Sequence, residues 1–530
     1  MSININILFV NTKGGRPMIK FRLPPFTLGT AIVLVLCLVK LLSPHFEDPD
    51  FYWHIKTGEY LLSAWPPGRA DVFSFPNAGN AWVLSEWGAQ VVLYLTFNAF
   101  GYTGAAWFTA LLCAACLGQV YRCCLLLGCR EALAATMTLL CSVFLLDAAP
   151  RPHLFTFLLF SVVLTILLEF KYQGRNEKLW RLPVVMALWA NLHGGYFIGL
   201  VLMAAFAAAE WWGYGWRGAD ALNKHKLTRL TRYVLLALLA TLLNPEFIRY
   251  WWYPVEAILM SGDAQVINEW QSPSFHAPIT QYFLVLVAGF ATMLIYSRRR
   301  PDATEFAVPA LFIAAALVSV RNLPLAAMAM VPFLGRFLSA WVAAPQAGPL
   351  YQLLQKMTHT VPANKQGGEV EAPLLNVLLV AVVGLTVWFV YPEQQKRVQA
   401  VVEKYMPVKA ADFLVREHIQ GRMFNAYQYG GYLIFRLYPQ QQVFIYGRTD
   451  IFRPGFLAEH DAIYQARANW KTYFDRYQFD YVVCETNAAV RQVLLAARTF
   501  TLVYDDGRHS VLVRNAPQFA QLIARYGKTA

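Results

Sequence analysis

Charge is scarce in this chain. Only 15% of its 530 residues are Asp, Glu, Lys or Arg, while 57% are hydrophobic and the mean hydropathy is +0.38. A soluble globular domain carries about 25% charged residues, so the composition excludes an ordinary soluble fold. Cysteines are few, and no two of the eight pair on an oxidising side, which argues against a structural disulfide. Cys113-x-x-Cys116 has a redox or zinc spacing, but inside a lipid-facing helix it reads as two small apolar residues. No internal repeat and no charge at mid-span is evident, which weighs against a transporter.

What the chain does have is a series of long apolar runs, the signature of a multi-pass membrane protein. The net charge of +13 comes mostly from Lys and Arg in short loops between those runs. That is the positive-inside pattern, and it excludes nucleic acid as the partner. Residues 1–22 are expected inside, followed by a retained anchor at 26–44 with Lys40 snorkelling near its end. A long outer loop, 45–101, carries two helices lying along the membrane, separated by turn signals at Trp65–Arg69 and Pro76–Asn80. A span follows at 102–124. Residues 131–170 form a hairpin broken at 149–153, because proline disrupts a helix. A second hairpin, 182–212, is broken at Asn191–Gly195. Further spans are expected at 232–244, 278–297, 304–320, 324–341 and 374–391, with a polar loop at 343–372. The fold class is therefore an α-helical multi-pass membrane protein with about 11 transmembrane helices. Residues 1–392 form the membrane domain, and 393–530, where strand-like and helical runs alternate, a small α/β outer domain. The N-terminus lies in the cytoplasm and the C-terminal domain on the periplasmic or extracellular side.

This topology gathers polar groups at one face. Asp48, Asp50 and His54 follow the first span, and Glu86 ends the loop. Arg151 and His153 sit at the first hairpin tip, Asn191 and His193 at the second. Asn244, Glu269, Arg321 and Asn322 complete the set, and the cytoplasmic side shows nothing comparable. A carboxylate can take a proton from an attacking hydroxyl, and arginine matches phosphate oxygens. The set suits a substrate combining phosphate and polyol. Each residue also has a structural reading. Asp48 can be a helix cap with Pro49 at the first helical position, Asp50 a complement to the helix dipole, and Glu86 a cap. His54 can be a core histidine, and the arginines anchors to lipid headgroups. Leu182–His193 is short, about 18 Å of helix against a core about 30 Å thick, so Asn191 and His193 line a cavity or clamp the hairpin. Asp48 and Asp50, with His54, can also hold Mg²⁺ or Mn²⁺.

An acid motif after span one, two loop helices, a many-span body and a closing outer domain resemble the GT-C fold. Its members are membrane glycosyltransferases using polyprenyl-phosphate- or polyprenyl-diphosphate-linked sugars. The chain is similar in particular to protein mannosyltransferase, aminoarabinose transferase and oligosaccharyltransferase enzymes. The resemblance implies an inverting glycosyltransferase in a bacterial inner membrane, moving sugar to a glycan, lipid or protein acceptor on the outer face. It implies that Asp50 or Asp48 is catalytic base or metal ligand, and that Arg321, and Arg151 after it, hold the donor phosphate. Tyr427-Gln428-Tyr429-Gly430 stands where oligosaccharyltransferases carry Trp-Trp-Asp-Tyr-Gly, which makes Tyr429 a substrate-binding residue. Gln428 replaces the aspartate, which argues against sequon-type acceptors. A flippase of lipid-linked glycans and a non-catalytic envelope scaffold are the other functions open to such a chain.

Overall fold

The structure is a computed structural model. It describes residues 7–10, 18–21, 28–64, 68, 70–216, 221–259, 268–297, 299–343, 381, 384–385 and 395–527. The expected loop 343–372 and the span 374–391 lie almost wholly outside the described residues, as do most of the turn 65–69 and of residues 1–22.

Helices stand at the expected span positions from 26–44 through 324–341. They are α1 (Leu28–Leu42), α3 (Trp87–Leu126), α4 (Glu131–Ser142), α5 (His153–Gln173), α6 (Arg181–Leu192) and α7 (Tyr196–Gly215). The series continues with α8 (Lys224–Ala240), α10 (Pro278–Tyr296), α11 (Ala303–Val318) and α12 (Leu323–Val342). Five stretches among them, Trp87–Leu126, His153–Gln173, Tyr196–Gly215, Pro278–Tyr296 and Val320–Val342, are long and apolar enough to cross a membrane. The 12-residue α4 and α6 are about 18 Å long, too short to cross a 30 Å core alone. Between α1 and α3 lies α2 (Asp50–Ser63), and α9 (Tyr253–Leu259) precedes α10. α3 contains both a loop helix and a span. They meet at Gly101, whose φ of 60° and ψ of −152° redirect the chain in a way few other residues allow.

The C-terminal region holds a four-stranded sheet of β3 (Met423–Asn425), β4 (Tyr481–Glu485), β5 (Phe500–Asp505) and β6 (His509–Arg514). Their order is β3-β4-β6-β5, with β3 and β4 parallel and the other pairs antiparallel. (β1, Ile7–Val10, and β2, Met18–Phe21, form a separate hairpin.) Helix α13 (Gly430–Leu437) packs on α2. There Gly431 is required, because a Cβ would overlap the Pro49 carbonyl. A single hydrophobic core runs from Phe46, Phe51 and Trp53 through Tyr432 and Tyr446 to the sheet residues Val482 and Leu512. The loop between α1 and α3 is thus welded to the C-terminal sheet, and the α5–α12 bundle has a core of its own.

Two expectations fail at the ends of the bundle. Lys40 does not snorkel: it is buried, and its Nζ donates to Leu146 O at 2.8 Å. That bond fixes the α4–α5 connection that carries Arg151. The second is the supposed absence of a charged cluster at the far end. α5 and α7 run from their starts at His153 and Tyr196 to buried charge at Lys171 and Glu210, and α11 returns from Asp302. Lys171 pairs with Glu210 and, at 2.8 Å, with Asp302, and Thr304 donates to Glu210. Glu305 takes Arg336 at 2.7 Å and Arg299 at 3.2 Å. Arg122, Arg175 and Lys178 converge on Glu169. These groups come from the ends of separate apolar runs and the short loops between them, so no local motif announces them. Each buried carboxylate has cationic or hydroxyl partners, as burial of charge demands.

Candidate active site

Asp48 and Asp50 open the helix α2 beneath the C-terminal sheet. Asp48 Oδ1 accepts the Asp50 backbone N–H at 2.9 Å, so it does cap the helix start. The same oxygen accepts from Arg151 Nη2 at 2.6 Å, and Asp48 Oδ2 pairs with Arg151 Nε. Cap and ion pair are therefore one residue. Arg151 Nη1 lies 3.2 Å from Asp50 Oδ2 and 3.2 Å from Glu269 Oε1. One guanidinium thus faces three carboxylates. Asp50 Oδ1 also accepts from Trp53 Nε1 at 3.0 Å. Burial pushes the Asp50 carboxyl up to about 6; Arg151 works against the rise and Asp48 adds to it. Burial in low dielectric disfavours the charged carboxylate, and a like charge nearby does the same.

A second group lies one turn along α2 and across to the hairpin tips. His54 Nδ1 is 3.2 Å from Gln90 Nε2 and 3.6 Å from Glu86 Oε2. Burial holds His54 down at about 3, so the ring is neutral. His193 Nδ1 accepts from the Gly195 N–H at 2.9 Å, which places the ring proton on Nε2. Nε2 then donates to Glu86 Oε1 at 3.2 Å. Thr156 Oγ1, 2.7 Å from His193 Nδ1, completes the ring's partners and accepts from Trp189 Nε1. Burial acts to raise Glu86, but the His193 hydrogen bond and the positive groups around it together outweigh burial and hold the carboxyl below its usual range. His153 heads α5 with its ring 5.2 Å from Phe157, and the charges of Arg151 and Arg321 both reach it.

Arg321 stands beside this set rather than in it. Its guanidinium lies over the Trp270 ring at 5.9 Å and is exposed. The segment carrying Glu269 and Trp270 is tied to the residues before Arg321 by Ser319 Oγ donating to Glu269 O at 2.9 Å and Val320 N donating to Gln271 O at 3.0 Å. One short segment therefore links Arg151, through Glu269, to Arg321, through Trp270.

No protein-family model and no curated protein matches the chain. Solved structures do. The archaeal oligosaccharyltransferase AglB from Archaeoglobus fulgidus, in complex with an inhibitory peptide and a dolichol-phosphate, aligns over 92% of this chain and 74% of its own. That alignment has a TM-score of 0.51 at 11% identity. The arabinofuranosyltransferase AftD from Mycobacteria aligns over 92% of this chain and 40% of its own, with a TM-score of 0.50 at 16% identity. ArnT from Cupriavidus metallidurans, bound to undecaprenyl phosphate, gives 0.46 at 17% identity over 92% of this chain and 98% of its own. The chain has the GT-C fold. Identities this low carry the fold and leave the chemistry to the site.

On the GT-C fold of this chain, several expected residues take other places. Asn191 is a clamp: its Oδ1 accepts from Trp87 Nε1 at 2.9 Å, and its Nδ2 donates to Leu243 O at 2.6 Å and Ala187 O at 2.8 Å. Asn244 closes a local turn, with Oδ1 accepting from Glu246 N at 2.8 Å and Nδ2 donating to Thr241 O. Asn322 Nδ2 donates back to Ala315 O at 3.0 Å. Tyr429 is buried in the C-terminal core, its ring 5.3 Å from that of His509. Its neighbour Tyr427 is the one within the field of Asp50, Arg151 and Glu269. The residues also do not fit a divalent metal. Arg151 already stands between Asp48 and Asp50, His54 turns to Gln90 and Glu86, and no three His, Cys, Asp or Glu side chains among the described residues are placed to hold a metal ion.

Sequence reasoning missed the contribution of Tyr446–Asp450. A Cβ on Gly447 would overlap Asp50 Oδ1, so only glycine lets this segment close over the acid. Arg448 is buried, lies 4.9 Å over the Trp82 ring, donates to Val83 O, and pairs with Asp450 at 3.4 Å. Asp450 in turn accepts from Tyr253 OH at 3.3 Å. Glycine, arginine and aspartate directly after the strand-like run 442–446 were a signal, but nothing local ties them to the first loop.

Proposed function

We propose that this chain transfers a sugar from a polyprenyl-phosphate or polyprenyl-diphosphate carrier to a hydroxyl of a glycan, lipid or protein acceptor. The reaction takes place on the outer face of a bacterial inner membrane, with 393–530 on that side. Asp50 is the base. It takes the proton of the acceptor hydroxyl, whose oxygen attacks the anomeric carbon. The bond from that carbon to the phosphate oxygen breaks, the configuration inverts, and the carrier phosphate leaves with the electron pair. Arg321 offsets the charge on the leaving phosphate. The carrying observation is Asp50 itself: half-buried, held by Trp53 and Arg151, and pushed up to about 6. A base with a pKa near the working pH is both ionised and able to take a proton. Arg151 has its charge matched by carboxylates, whereas Arg321 faces the Trp270 ring and pairs with no carboxylate among the described residues, and that supports the phosphate role for Arg321. Glu86 and His193 form the second wall of the site, bonded to each other.

The test supplies the purified full chain, in nanodiscs, with lipid-linked sugars extracted from its source membranes, and measures sugar-free carrier lipid released. Release that disappears in Asp50→Asn is the expected result. A flippase or a non-catalytic scaffold would release none, and that outcome would end the enzyme reading.

A further inference from the structure

Away from the acids, the first loop and the C-terminal region enclose an open cleft of about 790 Å³. This size suits a small organic ligand. One wall is Asp71, Val72 and Phe75 of the first loop; the other is Gln420–Arg422 and Tyr438–Gln442. The walls are joined by backbone bonds, Phe75 N to Val443 O at 3.1 Å and Val443 N to Phe73 O at 2.9 Å. Two glutamines complete the joint: Gln442 Nε2 donates to Val72 O at 3.1 Å, and Gln441 Nε2 donates to Gly421 O. The cleft is thus a built feature of two segments distant in sequence.

Its lining has a particular chemistry. Phe75 and Tyr438 are half-buried: Phe75 packs against Phe444 at 5.7 Å and Tyr438 against Phe73 at 4.8 Å, leaving part of each ring to line the cleft. The amides of Gln420 and Gln440 are exposed and make no hydrogen bond among the described residues. Arg422 stands at the rim, its Nη1 bonded to Tyr477 O at 3.3 Å. An amide offers a donor and an acceptor side by side, which matches neighbouring hydroxyls on a ring. An aromatic body offers an apolar surface to the C–H face of the same ring. Amides over aromatic rings, with little net charge, favour a neutral carbohydrate over a peptide or a lipid tail.

We propose that this cleft binds the acceptor as an oligosaccharide chain. The inference rests on the glycosyltransferase reading above and names its acceptor class. Gln442 lies five residues before Gly447, which closes on Asp50. At no more than about 3.6 Å per residue that segment spans at most about 18 Å. The cleft and the base therefore lie within the length of a chain of several sugars.

The experiment is saturation-transfer difference NMR on the full chain in nanodiscs, with cellohexaose, xylohexaose, mannohexaose and chitohexaose as probes. At least one probe receives saturation, and the Gln420→Ala/Gln440→Ala variant weakens it at least tenfold with an unchanged melting temperature. Gln440→Trp, which fills the cleft, also abolishes it, while Asp50→Asn retains it. Silence with all four probes, or equal binding in both cleft variants, overturns the proposal. Binding that survives in a chain without transferase activity upholds the cleft and removes only the enzyme reading.

Discussion

Replacing Asp50 by Asn should stabilise the protein at neutral pH while ending transfer. Burial lifts the Asp50 carboxyl from its ordinary 3.8 to about 6. A pKa difference of one corresponds to about 1.36 kcal/mol, so at pH 7 the ionised side chain disfavours the fold by about 3 kcal/mol. The sign follows from where the proton is held. The folded state binds it more tightly than the unfolded chain does, so this stability is fully present below about pH 4 and is lost as pH rises through about 6. Asparagine keeps an oxygen for the Trp53 Nε1–H and carries no charge at any pH. Melting of the full chain in nanodiscs should therefore show Asp50→Asn above wild type by a few °C at pH 7.5. The gap should shrink steadily as pH is lowered towards 4, and carrier release should be absent throughout. A variant that melts below wild type at pH 7.5, or a gap that does not depend on pH, would refute the electrostatic account of this acid.

Four other expectations follow from single contacts. Gly447→Ala forces the carboxylate of Asp50 aside; a misplacement of about 1 Å can cost roughly 100-fold in rate, so release should fall by about that factor with the fold intact by melting. Arg321→Ala should raise the donor KM about tenfold or more, the worth of one hydrogen bond to a charged group, without changing melting, since its partner among the described residues is the Trp270 ring. Asn191→Leu removes the acceptor of Trp87 Nε1 and leaves Leu243 O without the amide donor, and chemical denaturation should read a loss of about 1–3 kcal/mol with donor KM unmoved. Lys171→Met leaves Glu210 and Asp302 without their shared cation, and a loss of about 3–5 kcal/mol should appear as a lower melting temperature.

Much of the chain was legible without coordinates because its signals are local. Apolar runs marked the helices, and the prolines of Pro150–Pro152 and the Gly194–Gly195 pair marked the hairpin breaks, because backbone conformation is a short-range property. The acids after the first span were conspicuous for the same reason: three carboxylates so close together at the end of an apolar run call for a partner. The partner's identity was not local. Arg151 reaches Asp48 and Asp50 only because the Lys40–Leu146 contact and the α4–α5 connection place it there. Motif position points to Tyr429, but the turn before α13 buries that ring and places Tyr427 within the field of the acids.

By itself, then, the sequence determined which stretches are helical, that the chain is apolar enough for a membrane, and that acids and histidines concentrate after the first span. Only the tertiary structure decided which of those groups meet. It set Gly447 and Arg448 over the first loop, gave the Glu86–His193 pair its tautomer, and turned His54 away from the acids. The physical reason is range. Helix propensity and hydropathy act over a few residues, whereas an ion pair or a steric fit is specified jointly by segments hundreds of positions apart, and neither half carries the information alone.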